Sequence, residues 1–555
     1  MPNHSGRYDA IIVGGGHNGL VCAAYLAKAG LKPLVLERRE LVGGAAVTEE
    51  VWPGYRVSTA SYVVSLFSPK IVRDLDLEKH GYHVYPLDPA YFAPFPDGEG
   101  FLLWEDHVRA GEEIARINKH DGAAYPEYSH ALGELADLVR PLLYRTPPDP
   151  SVQTLADVKE LLSLGRYAFG TRKQLSRLVD LMTMSCADFL DHFFVDDRIK
   201  GALAPGGVIG MWGGPMSPGS AYTLLHHRMG DANDATGGWG FVRGGMGGLS
   251  EAIASSARAA GAEIRTEADV AEITLSGDRT TGVVLADGTE LRSPMVISGV
   301  HPQTTFLSLV GRKRLPEETV GELEGFRSRS PSAKVNFALS ELPDLTARPG
   351  KELGPQHPEI MISPSLEYLE KAWDEAKYGR FSAKPMVDAV IPTTKDPTIA
   401  PEGKHIMTCF VQYVPYELRD GGWDDATRDS LADAVTDAIN EYAPNFRDSV
   451  IHRQVLTPYD LEQRFGLIGG NIFHGEMSLD QLFSFRPVAG MAGYRTPIGG
   501  LYLCGSGTHP GGGVMGIPGL NASQVVVRDS RAEDRKQRLR KTGAGLRKRL
   551  EKRIT

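Results

Sequence analysis

Cysteine is scarce: Cys22, Cys186, Cys409 and Cys504 are the only four in 555 residues. None lies near another along the chain, so there is no Cys-x-x-Cys redox pair and no clustered zinc ligand set. Cys22 and Cys504 sit in apolar strings, where a small buried thiol is expected. So few cysteines at this length fit a reducing compartment. A long apolar span is also missing. The longest uncharged stretch, 10–27, holds four glycines, His17 and Asn18, and reads as strand, loop and helix. Asp9 stands before it, where a signal peptide would need basic residues. Excess positive charge is lacking as well. The net charge of −9 argues against the basic surface that nucleic-acid binding requires. There is no internal repeat.

The charge is uneven. Residues 531–555 hold eleven Lys/Arg and three acids, a net +8, which leaves −17 for residues 1–530. This tail is charged nearly all round and interrupted by Gly543 and Gly545, so it has no broad apolar face. It reads as a solvated end. Its alternative role is attraction to an anionic membrane or an acidic partner.

Glycine is what the chain has in excess: 63 residues, against an average usage of about 7%. With no G-X-Y period, these glycines mark local close approach of backbone. The clearest case is N-terminal. Residues 8–13 form a short β-branched apolar run, Gly14-Gly15-Gly16-His17-Asn18-Gly19 follows, and 20–29 reads as a helix stopped by Gly30. A second strand, 33–37, ends at Glu37. This is a βαβ unit with G-x-G-x-x-G at its first turn. Such a turn brings a pyrophosphate to the helix N-terminus, and the acid closing the second strand holds a ribose diol. An acid there points to a ribose without a 2′-phosphate.

Further along, helix formers dominate 110–118 and 128–143. Pro147-Pro148-Asp149-Pro150 breaks that region before a second helical block at 152–203. Residues 201–248 read as loop, with 15 glycines in 48 positions. A helix over 249–260 is followed by strands at 268–275, 281–285 and 290–298, with Asp287-Gly288 turning between the last two. Strands are expected at 333–340 and 405–414, a helix at 424–442, a last strand at 501–504 and a final helix near Gly519.

Two more segments bear chemistry. Leu41-Val42-Gly43-Gly44-Ala45-Ala46-Val47 follows the second strand, and it resembles the double-glycine segment of FAD enzymes of the amine oxidase and phytoene desaturase superfamily. Many members carry Arg after the glycines; Ala45 stands here, so backbone amides must serve. Residues 500–522, including Gly505, Pro510, Met515, Gly516, Ile517 and Asn521, resemble the C-terminal flavin motif of carotenoid desaturases. With VGGGHNGLVCAAYL, ERRELVGGAAVTEE and GLYLCGSGTHPGGGVMG, the chain is identified as a member of the carotenoid and retinoid oxidoreductase family over about 8–530.

That resemblance implies an α/β protein: a discontinuous Rossmann-like FAD-binding domain (1–75, 220–305 and 480–530), an inserted α+β substrate domain (76–219 and 306–479) and the basic tail. It implies FAD held by Gly14, Gly16, His17, Asn18, Gly19, Glu37, Arg38, Gly44, Ala45, Ala46, Val270, Gly505, Met515, Gly516, Ile517 and Asn521, and no metal. It implies hydride transfer between flavin and a hydrophobic, isoprenoid or polyene substrate. Alternatives are an amine-oxidase-like flavoenzyme, a saturase running in reverse, and a flavin-bearing interaction protein with little turnover. Substrate-side candidates are Tyr62, His227 beside His226, His474 and His509, which either assist a proton transfer or pack as ordinary buried groups. The apolar run 175–200 either walls a substrate channel or packs as core. A close animal relative in that family is mitochondrial. This N-terminus is not transit-like, so a bacterial cytoplasmic setting is expected, with the tail as a membrane-peripheral contact.

Overall fold

The computed structural model describes residues 8–149, 155–230, 238–348 and 359–554. Its first sheet has five parallel strands in the order Leu501–Leu503, Val296–Ser298, Ala10–Val13, Pro33–Leu36, Glu263–Arg265. These strands are continuous apolar runs because helices cover the sheet. The helix His17–Lys28 packs between the helices Met246–Ala259 and Ile517–Ile554, burying Leu20, Val21, Leu26, Ile253 and Val525 in one cluster. A three-stranded antiparallel sheet, Val270–Ser276, Arg279–Leu285 and Glu290–Arg292, flanks it.

The second large sheet has seven strands, in the order Val450–Leu456, Ser332–Leu339, His405–Gln412, Met386–Val390, Glu359–Ile362, Tyr91–Pro94, Gly100–Leu103. Only Glu359–Ile362 and Tyr91–Pro94 run parallel. One face packs on the helix Asp425–Asn440 through Leu431, Val435 and Ile439. The other faces the first sheet's glycine turns.

Four expectations are corrected. The strand read over 290–298 breaks at Ser293-Pro294: Glu290–Arg292 pairs in the small sheet and Val296–Ser298 in the parallel one. Proline has no N–H to continue a ladder. The loop read over 201–248 contains the helix Ala221–Arg228 and the strand Gly240–Val242, with 231–237 outside the described residues. The block read over 152–203 is four helices, Leu155–Gly170, Arg172–Thr183, Cys186–Asp191 and Asp197–Leu203; its first residues and Pro150 are outside the described residues. Gly543 and Gly545 do not interrupt the tail, whose backbone continues the helix Ile517–Ile554; most tail side chains are outside the described residues. The apolar run at 175–200 packs as core through Leu178, Leu181, Phe189, Leu190 and Phe194. No helix among the described residues is long and apolar enough to cross a membrane.

Candidate active site

A cavity of about 500 Å³ lies between the two large sheets. On one side it is walled by the glycine turns. Gly14 is at φ +95°, a conformation glycine adopts freely. Gly16 caps the helix His17–Lys28 without a side-chain hydrogen bond, so the first-turn N–H groups of that helix have no side-chain cap. Gly19 does not reach the cavity. A Cβ there would stand 2.2 Å from the Gly14 carbonyl, so its missing side chain allows helix and strand to touch. Gly43 donates its N–H to the Gly15 carbonyl at 2.8 Å, folding the double-glycine segment back onto the first turn. Glu37 is buried at the strand end. Its carboxylate accepts from Gly15 N–H at 2.7 Å and Arg39 N–H at 3.0 Å, so it also braces the turn.

Of the expected cofactor residues, Gly14, Gly16, His17, Asn18, Glu37, Arg38, Gly44, Ala45, Ala46 and Val270 line this cavity. Gly505, Met515, Gly516, Ile517 and Asn521 do not. A Cβ on Gly505 would meet the Gly299 carbonyl at 2.5 Å, and Asn521 spends its amide on Leu143 O and the Tyr494 hydroxyl. The C-terminal motif reaches the cavity through Ser506, Gly513 and Val514 instead. Asn18 donates to Ser506 Oγ at 3.0 Å and ties the two ends of the chain together. Val514 is held at φ +59°, costly for a β-branched residue and the kind of strain that gathers at functional sites.

The opposite wall belongs to the seven-stranded sheet and to the helix and loops beside it. Tyr62, Ile209, Trp239, Phe410, Ile472 and Phe473 make it largely apolar. One cation interrupts it. Lys334, in mid-strand and only 2% exposed, has no hydrogen-bond partner at Nζ among the described residues, and Nζ sits 3.7 Å from the Tyr62 ring centroid. Burial lowers its ammonium to about 7. Tyr62 donates its hydroxyl to Asp388 Oδ2. Burial pushes Asp388 up to about 6.

Of the proposed histidines, two reach the cavity. His227 Nδ1 lies at 2.9 Å and 3.0 Å from the carbonyls of Gly206 and Thr223. Two acceptors fix the proton on Nδ1 and leave Nε2 an acceptor. His474 sits at φ +56° with Nδ1 unpartnered, and burial holds it neutral, at about 4. His509 is corrected: its Nε2 donates to Leu142 O at 2.9 Å, its ring packs edge-on to Phe483, and it does not line the cavity. His226 is buried behind His227.

Two groups escaped the sequence. Lys334 was marked by a lone charge inside the apolar string Ser332–Leu339. Arg486 lay unremarked before Pro487. It is fully buried and gives its guanidinium to the carbonyls of Phe473, Gly475, Glu476, Gln481 and Ser506, clamping the loop that carries His474 to the C-terminal motif. Although far apart along the chain, Cys22 and Cys504 are neighbours in space, both buried and free, and the Cys504 thiol and burial push the Cys22 thiol up.

The family model for flavin-containing amine oxidoreductases matches residues 19–519. The chain belongs to that family. It is 43% identical over 549 residues to rat pyridine nucleotide-disulfide oxidoreductase domain-containing protein 2, covering 94% of each chain. It is 26% identical to a lycopene-forming phytoene desaturase of Paracoccus sp., covering 94% of this chain and 97% of that one. The fold is similar to that of putrescine oxidase, with a TM-score of 0.57 at 17% identity, covering 95% and 99%.

As a member, the chain is a flavin oxidoreductase whose cofactor is FAD. The cavity fits such a group. Five buried side-chain atoms of residues lining it have no hydrogen-bond partner among the described residues: His17 Nε2, Asn18 Oδ1, Ser65 Oγ, Lys334 Nζ and His474 Nδ1. Orphaned polar atoms of this kind cost about 1–3 kcal/mol each unless a ligand or water meets them. Among the described residues no group of three or more His, Cys, Asp or Glu could hold a metal.

Proposed function

We propose that this flavoenzyme oxidises a hydrophobic substrate of isoprenoid or polyene type by hydride transfer from a C–H bond. The observation that carries the reading is the asymmetry of the cavity: an uncapped helix N-terminus, glycines and Glu37 at one end, and Ile209, Trp239, Phe410, Ile472 and Phe473 at the other. FAD, when bound, supplies the hydride acceptor. The amides at Gly14–His17 and the Glu37 carboxylate would hold its pyrophosphate and ribose. The apolar wall orients the substrate and excludes water. Lys334, poised near neutrality, accepts the proton lost as a double bond forms. The phytoene desaturase relative lends support. Amine oxidation is less favoured, because Lys334 Nζ already occupies the Tyr62 face on which a substrate ammonium would rest.

The test is anaerobic. The FAD-loaded protein is mixed in turn with polyenes, retinoids, monoterpenes and amines, and the flavin band is followed. Bleaching by an apolar isoprenoid supports the reading. Bleaching by amines alone overturns it.

A further inference from the structure

The seven-stranded sheet places two carboxyl groups together behind the apolar wall, and the register explains how. Lys334 pairs with Phe410, Phe410 with Asp388, and Asp388 with Met361, so the four share one face. Glu359 lies two residues before Met361 and therefore shares that face. Glu359 is 6% exposed and Asp388 2%. Asp388 Oδ2 takes the Tyr62 hydroxyl. Its Oδ1 meets no N–H or O–H of the described residues, and the register sets Glu359 diagonally beside it on the neighbouring strand. Two carboxylates so placed in a buried site repel one another unless a proton lies between them.

We propose that Asp388 and Glu359 share one proton and present a single negative charge, pinned by Tyr62, that sets the basicity of Lys334. The proposal rests on Lys334 acting as the base. A buried lysine with no counter-charge would stay neutral and could not hold the substrate's proton. One facing two full carboxylates would stay an ammonium and could not take it. One shared charge leaves it between these states. The groups that bear on Lys334 are Tyr62, Cys409, Asp388 and Glu359, from three strands and one loop. Burial and then Asp388 raise Glu359 well above the carboxylate range, which agrees with its being the protonated partner. Asp388 and Glu359 do not line the cavity; they are positioning residues.

The experiment uses the FAD-loaded, substrate-free protein, so it does not depend on identifying the substrate. Difference infrared spectroscopy follows the protonated-carboxyl stretch between pH 5 and 9. Wild type should show this band at pH 7.5, and Glu359→Gln should lack it. Because coupling is reciprocal, Lys334→Met should raise the midpoint at which a second carboxyl protonates by about one pH unit or more. Absence of the band in wild type, or an unmoved midpoint in Lys334→Met, overturns the proposal. Wild type alone decides the first point should a variant fail to fold. Once a substrate is known, Asp388→Asn should move the pH midpoint of flavin reduction down, while Glu359→Gln, which copies the protonated partner, should leave it near wild type; an unchanged midpoint in Asp388→Asn overturns the proposal. If no isoprenoid bleaches the flavin, the infrared result still stands by itself.

Discussion

On the glycine side of the cavity the surface is backbone. Gly14, Gly16, Gly43 and Gly44 bring main chain to the space from within 31 positions of one another, and Ser506, Gly513 and Val514 join them from the far end of the chain. On the sheet side the surface is side chain. Lys334, Asp388 and Glu359 come from three strands that meet only through register, and Tyr62 joins them from a loop through its hydroxyl on Asp388. The first wall is built by local conformation, the second by long-range pairing. The two should therefore fail differently.

The largest effect is expected at the joint between them. Arg486→Ala would strip a buried cation from five carbonyls, and even partial hydration of the gap leaves a loss of about 3 kcal/mol or more. Denaturant unfolding of the holoprotein should show it, with both walls affected together. An unchanged midpoint would mean that the clamp is not structural.

Next comes a change confined to the glycine wall. A Cβ at Gly16 has open space, with its nearest contact at 4.0 Å, so Gly16→Asp should fold. Its charge would face the pyrophosphate, and like charges at close quarters cost several kcal/mol. FAD occupancy after gel filtration should fall to near zero while the far-ultraviolet circular dichroism stays native. Full occupancy would show that this turn does not meet the cofactor.

The matching change on the sheet wall is Lys334→Met. FAD should remain bound, and flavin reduction by substrate should slow by roughly 10²-fold, the usual worth of a positioned base. The sign of the pH dependence follows from the lowered ammonium. In wild type the rate should rise as pH climbs through about 7, where Lys334 loses its proton. In the variant that rise should vanish; a profile that keeps it would assign the base elsewhere.

The same contrast governs what could be read in advance. The parallel sheet's first strands, the uncapped helix and the acid at Glu37 follow from residues 8–37, because glycine placement and short apolar runs act locally. The fate of 500–522 was only half legible. A motif names a segment but not its facing, and packing against Gly299, Leu143 and Tyr494 turns Gly505 and Asn521 away from the cavity. His509 misled for the same reason: a histidine inside a flavin motif found a nearer acceptor in Leu142 O. Asp388 and Glu359 carried only a weak signal, a single acid in each short apolar strand, and nothing local says that the two strands are neighbours.

The smallest effect is expected from deleting 531–555. These residues extend a helix whose packed part ends near Val526, so FAD content and unfolding midpoint should change by less than about 0.5 kcal/mol. Salt-sensitive sedimentation with anionic vesicles should be lost with the tail. Vesicle binding that survives the deletion would move the lipid contact to the body.

The order of the parallel sheet also bears on how the protein is made. Its central strand, Ala10–Val13, is made long before its neighbour Val296–Ser298, which follows 286 residues later, and the edge strand Leu501–Leu503 that pairs with Val296–Ser298 follows 491 residues later. At about 5–20 residues per second the first of these is a wait of roughly a quarter of a minute to a minute during which an apolar strand has its edge open. The finished nucleotide cradle appears only with the last tenth of the chain. Closure of the cradle therefore waits on Ser506, Gly513 and Val514, and a nascent chain that stops short of Leu503 lacks both these residues and the edge strand of the parallel sheet.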